Sequence, residues 1–446
     1  MHPLTALILE DMKPALGVTE PAAIALACAF ARSYLTGSVK SLVVSLNSGM
    51  YKNAFTCGVP GSPYTGILIS AALGITAGNP DKGLEVLSDV TDEDHAAAKK
   101  LVSDGCIRAD VSSISPDISI KAQLTTTDGY CEAEILHTHT NLQYIKRNGK
   151  LVYGKEADVV EACPAAKDMT AKNSLRNKMD GENTLSSIHG FTLSDFLHYI
   201  KTVGEKELEP LRAAYDTNLE LFRFSMASDR TVIAKQLLSA NGGAILSENE
   251  LATAQLLCNG AIEGRVLGLN RAAMSITGSG AHGIICTMPL YAVQKIRGLE
   301  ETRLLRATAL SYLITMYIKE YSGRLSAFCG CGIAAGTGMA CALAWLNGGN
   351  KDTITKVINN MAAGITGMIC DGGNHGCTMK GIVAVDAAWR AVSLASHGIS
   401  IEAEHGICAA TPEEAMRQMG QIADPGMRET ERTILDIMQA KADANL

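Results

Sequence analysis

Aromatic side chains are scarce in this sequence, at 5% of 446 residues, while glycine is plentiful at 42. So few rings argue against a sandwich or barrel, and with abundant alanine they favour helices that pack closely. A long basic run is also missing, and the net charge is −7, which leaves nucleic-acid binding without support. The opening residues, MHPLTALILEDMKPALG, have no basic stretch ahead of an apolar core, so a secretory leader is not expected. No GxGxxG is read after a strand, and no P-loop signature occurs. Charge is absent from 325–350, which contains no Asp, Glu, Lys or Arg. That window is long enough to cross a bilayer. Its six glycines and its Ser, Cys and Thr side chains point instead to a buried helix, and no membrane partner is expected.

What is present is a globular composition, 47% hydrophobic and 19% charged, in a chain long enough for two domains. Thirteen cysteines, an odd number without a leader, fit a reducing cytoplasm and thiols or metal ligands better than disulfides. The expected fold is α+β: a mostly helical, cluster-bearing domain with a smaller mixed α/β insert. Residues 1–36 and 190–446 read as the helical domain, 37–155 as the insert and 156–189 as a polar connecting segment. In 1–36, Thr19 is suited to cap a helix, with Glu20 and Pro21 in its first turn. The apolar run that follows is expected to pack against the C-terminal helical half. In the insert, SVKSLVVSLN and CEAEILHTHTNLQYIKRNGKLVY alternate like strands, with a hairpin across 147–150 at Asn148-Gly149. Residues 62–78 read as a helix and 114–127 as a strand pair. After Thr192 apolar residues recur at helical spacing, and the tail reads as two helices broken near Pro425.

Five cysteines (329, 331, 341, 370 and 377) fall within 326–380. Cys370 and Cys377 bracket DGGNHG, a turn-forming run that lets backbone fold tightly around something small. The spacings, C-x-C and C-x6-C, suit structural zinc poorly. Iron–sulfur clusters are held by cysteine thiolates, normally four for a [4Fe–4S] cluster. Cys28, Cys106, Cys163, Cys258, Cys341 and Cys408 read as small buried hydrophobes. Two glycine-rich stretches, ITGSGAHGIICTMP and GMICDGGNHGCTMK, each carry a His-Gly pair. Their amides can bind an anion such as a carboxylate, or the glycines simply break helices. Asn47, Lys52 and Asn53 in SLNSGMYKN are candidate substrate contacts, with Lys52 as a point charge for a carboxylate. The run from His137 to Asn141 ends a strand, with His137 and His139 expected on one face.

GVTEPAAIALA, SLNSGMYKNAFTCGVPGS, ITGSGAHGIICTMP, LSAFCGCG and GMICDGGNHGCTMK, in this order, resemble the L-cysteine desulfidase family. That family is related to the alpha chain of iron–sulfur L-serine dehydratase. The resemblance implies a [4Fe–4S] cluster held by Cys329, Cys370 and Cys377, with Cys331 or Cys286 as alternatives for a ligand. It implies elimination from a small amino-acid substrate, L-cysteine or L-serine, to give pyruvate and ammonia. A serine dehydratase proper and a non-catalytic iron–sulfur sensor are the other readings. The sensor reading arises because Val18 stands where many members have Cys, a candidate base. Other candidates for the catalytic role are Glu20, Lys52, His282 and His375. Glu20 also reads as a carboxylate at a helix N-terminus, and the two histidines as core residues or supports of the cluster. For substrate, Asn47, Asn53, Ser279, His139, Asn141 and Asn374 are the candidates. A homo-oligomer is an open expectation.

Overall fold

The computed structural model describes residues 1–115, 117–154, 187–323 and 325–444. Most of the expected connecting segment, and Cys163 within it, lies outside the described residues. The chain is α+β and mostly helical, with one six-stranded mixed sheet.

The sheet occupies the insert. Its strands are β2 (Val39–Asn47), β3 (Ile107–Ser113), β4 (Ser119–Thr126), β5 (Tyr130–Leu136), β6 (Leu142–Arg147) and β7 (Lys150–Gly154). They lie in the order β3-β2-β4-β5-β6-β7, with β2 and β3 parallel and the other neighbours antiparallel. Strict alternation shows along β4, where Ile120, Ala122, Leu124 and Thr126 are buried and the residues between them are not. The hairpin across 147–150 forms as expected. Asn148 and Gly149 both take positive φ, 48° and 78°, which a two-residue turn of this twist requires. Residues 114–127 are not a strand pair. They contain β4 alone, because Asn47 ties the preceding connection down: its Nδ2 donates to the Ser115 carbonyl (2.9 Å) and its Oδ1 accepts from the Ser119 N–H (3.0 Å).

Residues 1–36 are not continuous helix either. Helix α1 (Pro3–Asp11) gives way to strand β1 (Lys13–Leu16) before α2 (Thr19–Ser33) begins. Pro14 has no N–H for a helical ladder, and Gly17 turns the chain at φ 59°. Strand β1 pairs antiparallel with β8 (Ala272–Ser275), Lys13 opposite Ser275 and Leu16 opposite Ala272. Val18, not Thr19, occupies the cap position, and it supplies no side-chain bond. Helix α2 is buried almost all round, so it must be covered on every side. It packs on the apolar face of the sheet, under α4 (Ile67–Thr76), rather than against the C-terminal half. The sheet and α4 enclose it completely, which one helical neighbour could not do. Two further helices complete this half, α3 (Ser48–Ala54) and α5 (Asp92–Ser103).

The other half is helical: α6 (Leu193–Thr202), α7 (Glu205–Leu208), α8 (Arg212–Ala227), α9 (Ile233–Ala240), α10 (Glu250–Val266) and α11 (Gly280–Arg297). There follow α12 (Glu301–Ser322), α13 (Gly336–Leu346), α14 (Lys351–Ile365), α15 (Gly376–Ser396), α16 (Pro412–Gln421) and α17 (Arg428–Asp443). The break between the last two falls at Pro425, as the sequence suggests. The uncharged 325–350 window becomes a π-helical turn (Cys331–Ala335) and the buried helix α13. Gly338 lets α13 approach α12 closely: a Cβ there would lie 2.3 Å from the Ser311 carbonyl oxygen. Among the described residues no helix is long and apolar enough to cross a membrane. The apolar core runs unbroken from the sheet into the helical half.

Candidate active site

Two short extended segments bring the thiols together. Phe328 and Ile369 form an isolated antiparallel bridge. Beside it the Cys329 N–H donates to the Met368 carbonyl (3.1 Å) and the Cys370 N–H to the Ala327 carbonyl (2.6 Å). Cys329 and Cys370 therefore leave neighbouring backbones. Cys377 comes from the first turn of α15, its thiol 3.3 Å from the Gly372 carbonyl. Cys331 opens the π-helical turn and shares a hydrogen bond with Cys329. Cys331, Cys370 and Cys377 line a cavity of about 110 Å³, with Cys329 buried behind them. Contact with Cys331 and burial push the Cys329 thiol far up. Burial raises Cys370 and, to about 11, Cys377. Without a metal these thiols are protonated at neutral pH, and a metal binding there must displace the protons.

The rest of the cavity lining comes from α2, the β5–β6 turn, α10, the turn before α11 and α12. Glu20, only 5% exposed, accepts from Asn53 Nδ2 (2.9 Å) and lies 3.8 Å from His139 Nε2. Burial works against its charge, but His139, Asn53 and Arg265 outweigh it and hold the carboxyl at about 2. His282 shares its Nδ1 with Thr277 Oγ1 (2.6 Å). Burial, with Lys319 and Arg265 adding repulsion, lowers this imidazole to about 3, so it is neutral at pH 7. Lys319 comes from α12; burial lowers it to about 8, against the pull of the Cys370, Cys331 and Cys329 thiols. Arg265, Ser279 and Val18 complete this lining.

Residues 81–436 match the family model of the serine dehydratase alpha chain. The chain belongs to that family. Its relatives include UPF0597 proteins from three bacteria. That of Clostridium botulinum (strain Hall) is 35% identical over 434 residues, 97% of each chain. That of Caldanaerobacter subterraneus subsp. tengcongensis is 33% identical over 438 residues, 98% of each. That of Desulfatibacillum aliphaticivorans is 32% identical over 435 residues, 97% of this chain and 96% of the relative. Membership points to a lyase of the serine dehydratase type, in a family generally associated with iron–sulfur chemistry.

In this serine dehydratase family member the cavity gathers Val18, Glu20, Asn53, His139, Ser279, His282, Cys331, Cys370 and Cys377 from the residues that sequence singled out, while Cys329 lies outside its lining against Cys331. Others lie elsewhere. Lys52 is buried against Glu431 and the Ser326 carbonyl and does not line the cavity. Asn47 serves the β3–β4 connection, and Asn141 is exposed. The 137–141 run is a turn, not a strand end. His137 points to solvent and His139 inward, so the two do not share a face. His375 is half exposed and bonds Glu263 (3.1 Å) outside the cavity, while Asn374 accepts from the Gly376 N–H (2.7 Å) at the start of α15. Cys286 faces Thr315 (3.1 Å) in the core and stands apart from the other thiols.

Arg265 and Lys319 were not legible as site residues. Each sits inside an apolar-looking helix with no motif around it. Within the glycine-rich ITGSGAHGIICTMP, Gly278-Ser279-Gly280-Ala281-His282-Gly283 is a GxGxxG that follows β8 and opens α11. Four residues of strand are too few to recognise by alternation. The unit is not a dinucleotide fold, since β8 pairs antiparallel with β1 alone.

Among the described residues no group of three or more His, Cys, Asp or Glu converges as it would on one metal ion. A cluster asks for something else: sulfurs spaced around a small body, with room for inorganic sulfide. Cys331, Cys370 and Cys377 line the cavity and Cys329 contacts Cys331, which brings four thiols together for that need. Gly330, Gly372 and Gly373 add stretches of bare backbone to the cavity lining. The charges of Lys52 and Lys380 favour thiolate at Cys370. The residues present fit a thiolate-held cluster.

Proposed function

We propose that this chain is an iron–sulfur-dependent lyase that eliminates hydrogen sulfide from L-cysteine, or water from L-serine, to give pyruvate and ammonia. The observation that supports it is one small cavity lined by the Cys331, Cys370 and Cys377 thiols together with Glu20, Arg265, His282 and Lys319. Cys329, Cys370 and Cys377 would hold a [4Fe–4S] cluster, with Cys331 as the alternative to Cys329. When bound, such a cluster supplies a Lewis-acid iron with an open position.

The protein's own share is to bind the amino acid, exclude water and move a proton. Two wall groups are suited to take the α proton, Lys319 Nζ and the neutral imidazole of His282. The Glu20 carboxylate, held ionised by its partners, is a weak base and better suited to fixed charge. Valine at position 18 transfers no proton. The elimination product, an aminoacrylate, hydrolyses to pyruvate and ammonia. A reducing compartment such as the cytoplasm is the setting this reading requires, and the free thiols support it.

Two other readings have specific support. The family description favours serine over cysteine as substrate. Val18 on the cavity wall favours a non-catalytic iron–sulfur sensor. Anaerobic purification with iron and sulfide analysis, followed by pyruvate and sulfide assays on both amino acids, tests all three. About four irons per chain with pyruvate formation is the expected result, and sulfide release then names the substrate. Iron without turnover on either amino acid selects the sensor. A chain that takes up no iron after anaerobic reconstitution overturns the cluster and the reading with it.

A further inference from the structure

The turn between β8 and α11 is built as an anion seat. Ile276 and Ser279 exchange backbone bonds in both directions, Ile276 N–H to the Ser279 carbonyl (3.3 Å) and Ser279 N–H to the Ile276 carbonyl (3.1 Å). That tight turn needs positive φ at Thr277 (52°) and Gly278 (74°). It aims the start of an 18-residue helix at the cavity, since Thr277, Gly278, Ser279 and His282 all line it. Ser279 sits in the cap position but makes no capping bond. The first-turn amides thus keep their donors, and the helix dipole adds partial positive charge. Gly283 seats the helix on the strand, where a Cβ would lie 1.9 Å from the Met274 carbonyl oxygen.

A second observation points to a ligand. Arg265 is 94% buried, at 6% exposure, and its Nε has no hydrogen-bond partner. Its side chain lies against the same helix start, with Nε 2.7 Å from where a Cβ on Gly280 would be. A buried guanidinium with an unbonded donor is costly, and because Arg265 lines the cavity an anion there would offset its charge. The cavity, about 110 Å³, suits a small molecule and not a nucleotide. Glu20 puts a buried carboxylate on the same wall. A fixed cation and a fixed anion around one small volume match a molecule that carries both charges.

We propose that the α11 N-terminus and Arg265 bind the α-carboxylate of a small α-amino acid, with its ammonium group toward Glu20. This deepens the lyase reading, on which the naming of the amino acid as a substrate rests. Arg265 is then a binding residue that orients the substrate's Cα toward the thiol wall.

The experiment is anaerobic calorimetric titration of the reconstituted protein with L-alanine, L-serine, alaninol and inorganic phosphate, on the unaltered chain and on Arg265→Gln and Arg265→Lys. L-Alanine has no leaving group, so binding is read without turnover. The expected result is that L-alanine and L-serine bind, that alaninol, lacking the carboxylate, does not, and that Arg265→Gln weakens both amino acids by about tenfold or more. Arg265→Lys restores part of the loss. Alaninol binding as well as alanine, or phosphate binding more tightly than either amino acid, overturns the proposal on the unaltered chain, whether or not the variants fold. Folded Arg265→Gln that binds amino acids undiminished overturns it too. Arg265-dependent binding without any turnover of L-cysteine or L-serine upholds the carboxylate seat and sinks the lyase reading alone.

Discussion

At the residue scale two wall positions decide the chemistry. Val18 lines the cavity, its methyls 3.2 and 3.3 Å from where a Cβ on Gly373 would be. A cysteine fits that space and would put a thiol where the resemblance places a base. If Lys319 or His282 takes the proton, Val18→Cys changes kcat by less than about threefold. A gain of about a hundredfold, the usual worth of a general base, would hand the role to position 18. Glu20 makes a second prediction, for the protein without its cluster. Its folded pKa, about 2, lies below the ordinary 4.5. The unfolded chain therefore binds the proton first as pH falls. The stability Glu20 contributes is complete above pH 4.5 and is lost between there and 2, on the order of 3 kcal/mol. Urea midpoints measured across that range should fall steeply for the unaltered chain and more gently for Glu20→Gln. His282, lowered from 6.5, acts with the same sign and starts at higher pH.

At the scale of elements, a histidine read as chemistry turns out to support a helix. The buried carboxylate of Glu263 accepts the N–H groups of Val232 (2.9 Å), Ile233 (3.0 Å) and Ala234 (2.7 Å), capping α9 from a distant part of the chain. His375 bonds the same carboxylate from the surface side. Glu263→Ala leaves three helix-end donors unbonded, that of Ala234 fully buried. It should cost about 2–4 kcal/mol, read from denaturant unfolding, while half-exposed His375→Ala costs about 1 kcal/mol or less. Neither partner could be found from sequence, because a cap supplied across thirty residues has no spacing to recognise. The glycines of GSGAHG were visible. Their context was not, since the strand before them is four residues long and pairs with a segment 256 to 262 positions away, Lys13 with Ser275 at one end and Leu16 with Ala272 at the other.

At the scale of the whole molecule, one buried ion pair fastens the two halves behind the site. Lys52, from α3 beside the sheet, reaches Glu431 on α17 and the Ser326 carbonyl (2.9 Å), with side-chain exposures of 1% and 7% for the charged pair. Removing one partner strands the other charge in the interior. Lys52→Met should lower stability by about 3–5 kcal/mol in urea unfolding, and Lys52→Met with Glu431→Leu should recover most of that loss. A double variant as unstable as the single one would show that packing, not charge, carries the cost. The positive charge of Lys52 in SLNSGMYKN suggested a substrate contact. Its role depends on a residue 379 positions away.

Some properties of this protein follow from its sequence alone. Helical periodicity, strand alternation and the Asn148-Gly149 turn were local signals. They carried the α+β class, the hairpin and the buried reading of the uncharged window. The clustered cysteines marked the thiol-bearing segments, and the Phe328–Ile369 bridge brought the two pairs together. Tertiary structure alone decided which polar residues meet them. Arg265, Lys319 and Glu20 come from three separate helices, and their shared cavity depends on how those helices cross. The enclosure of α2 by the sheet was equally hidden. An apolar surface states that it must be covered, and only packing selects the partner.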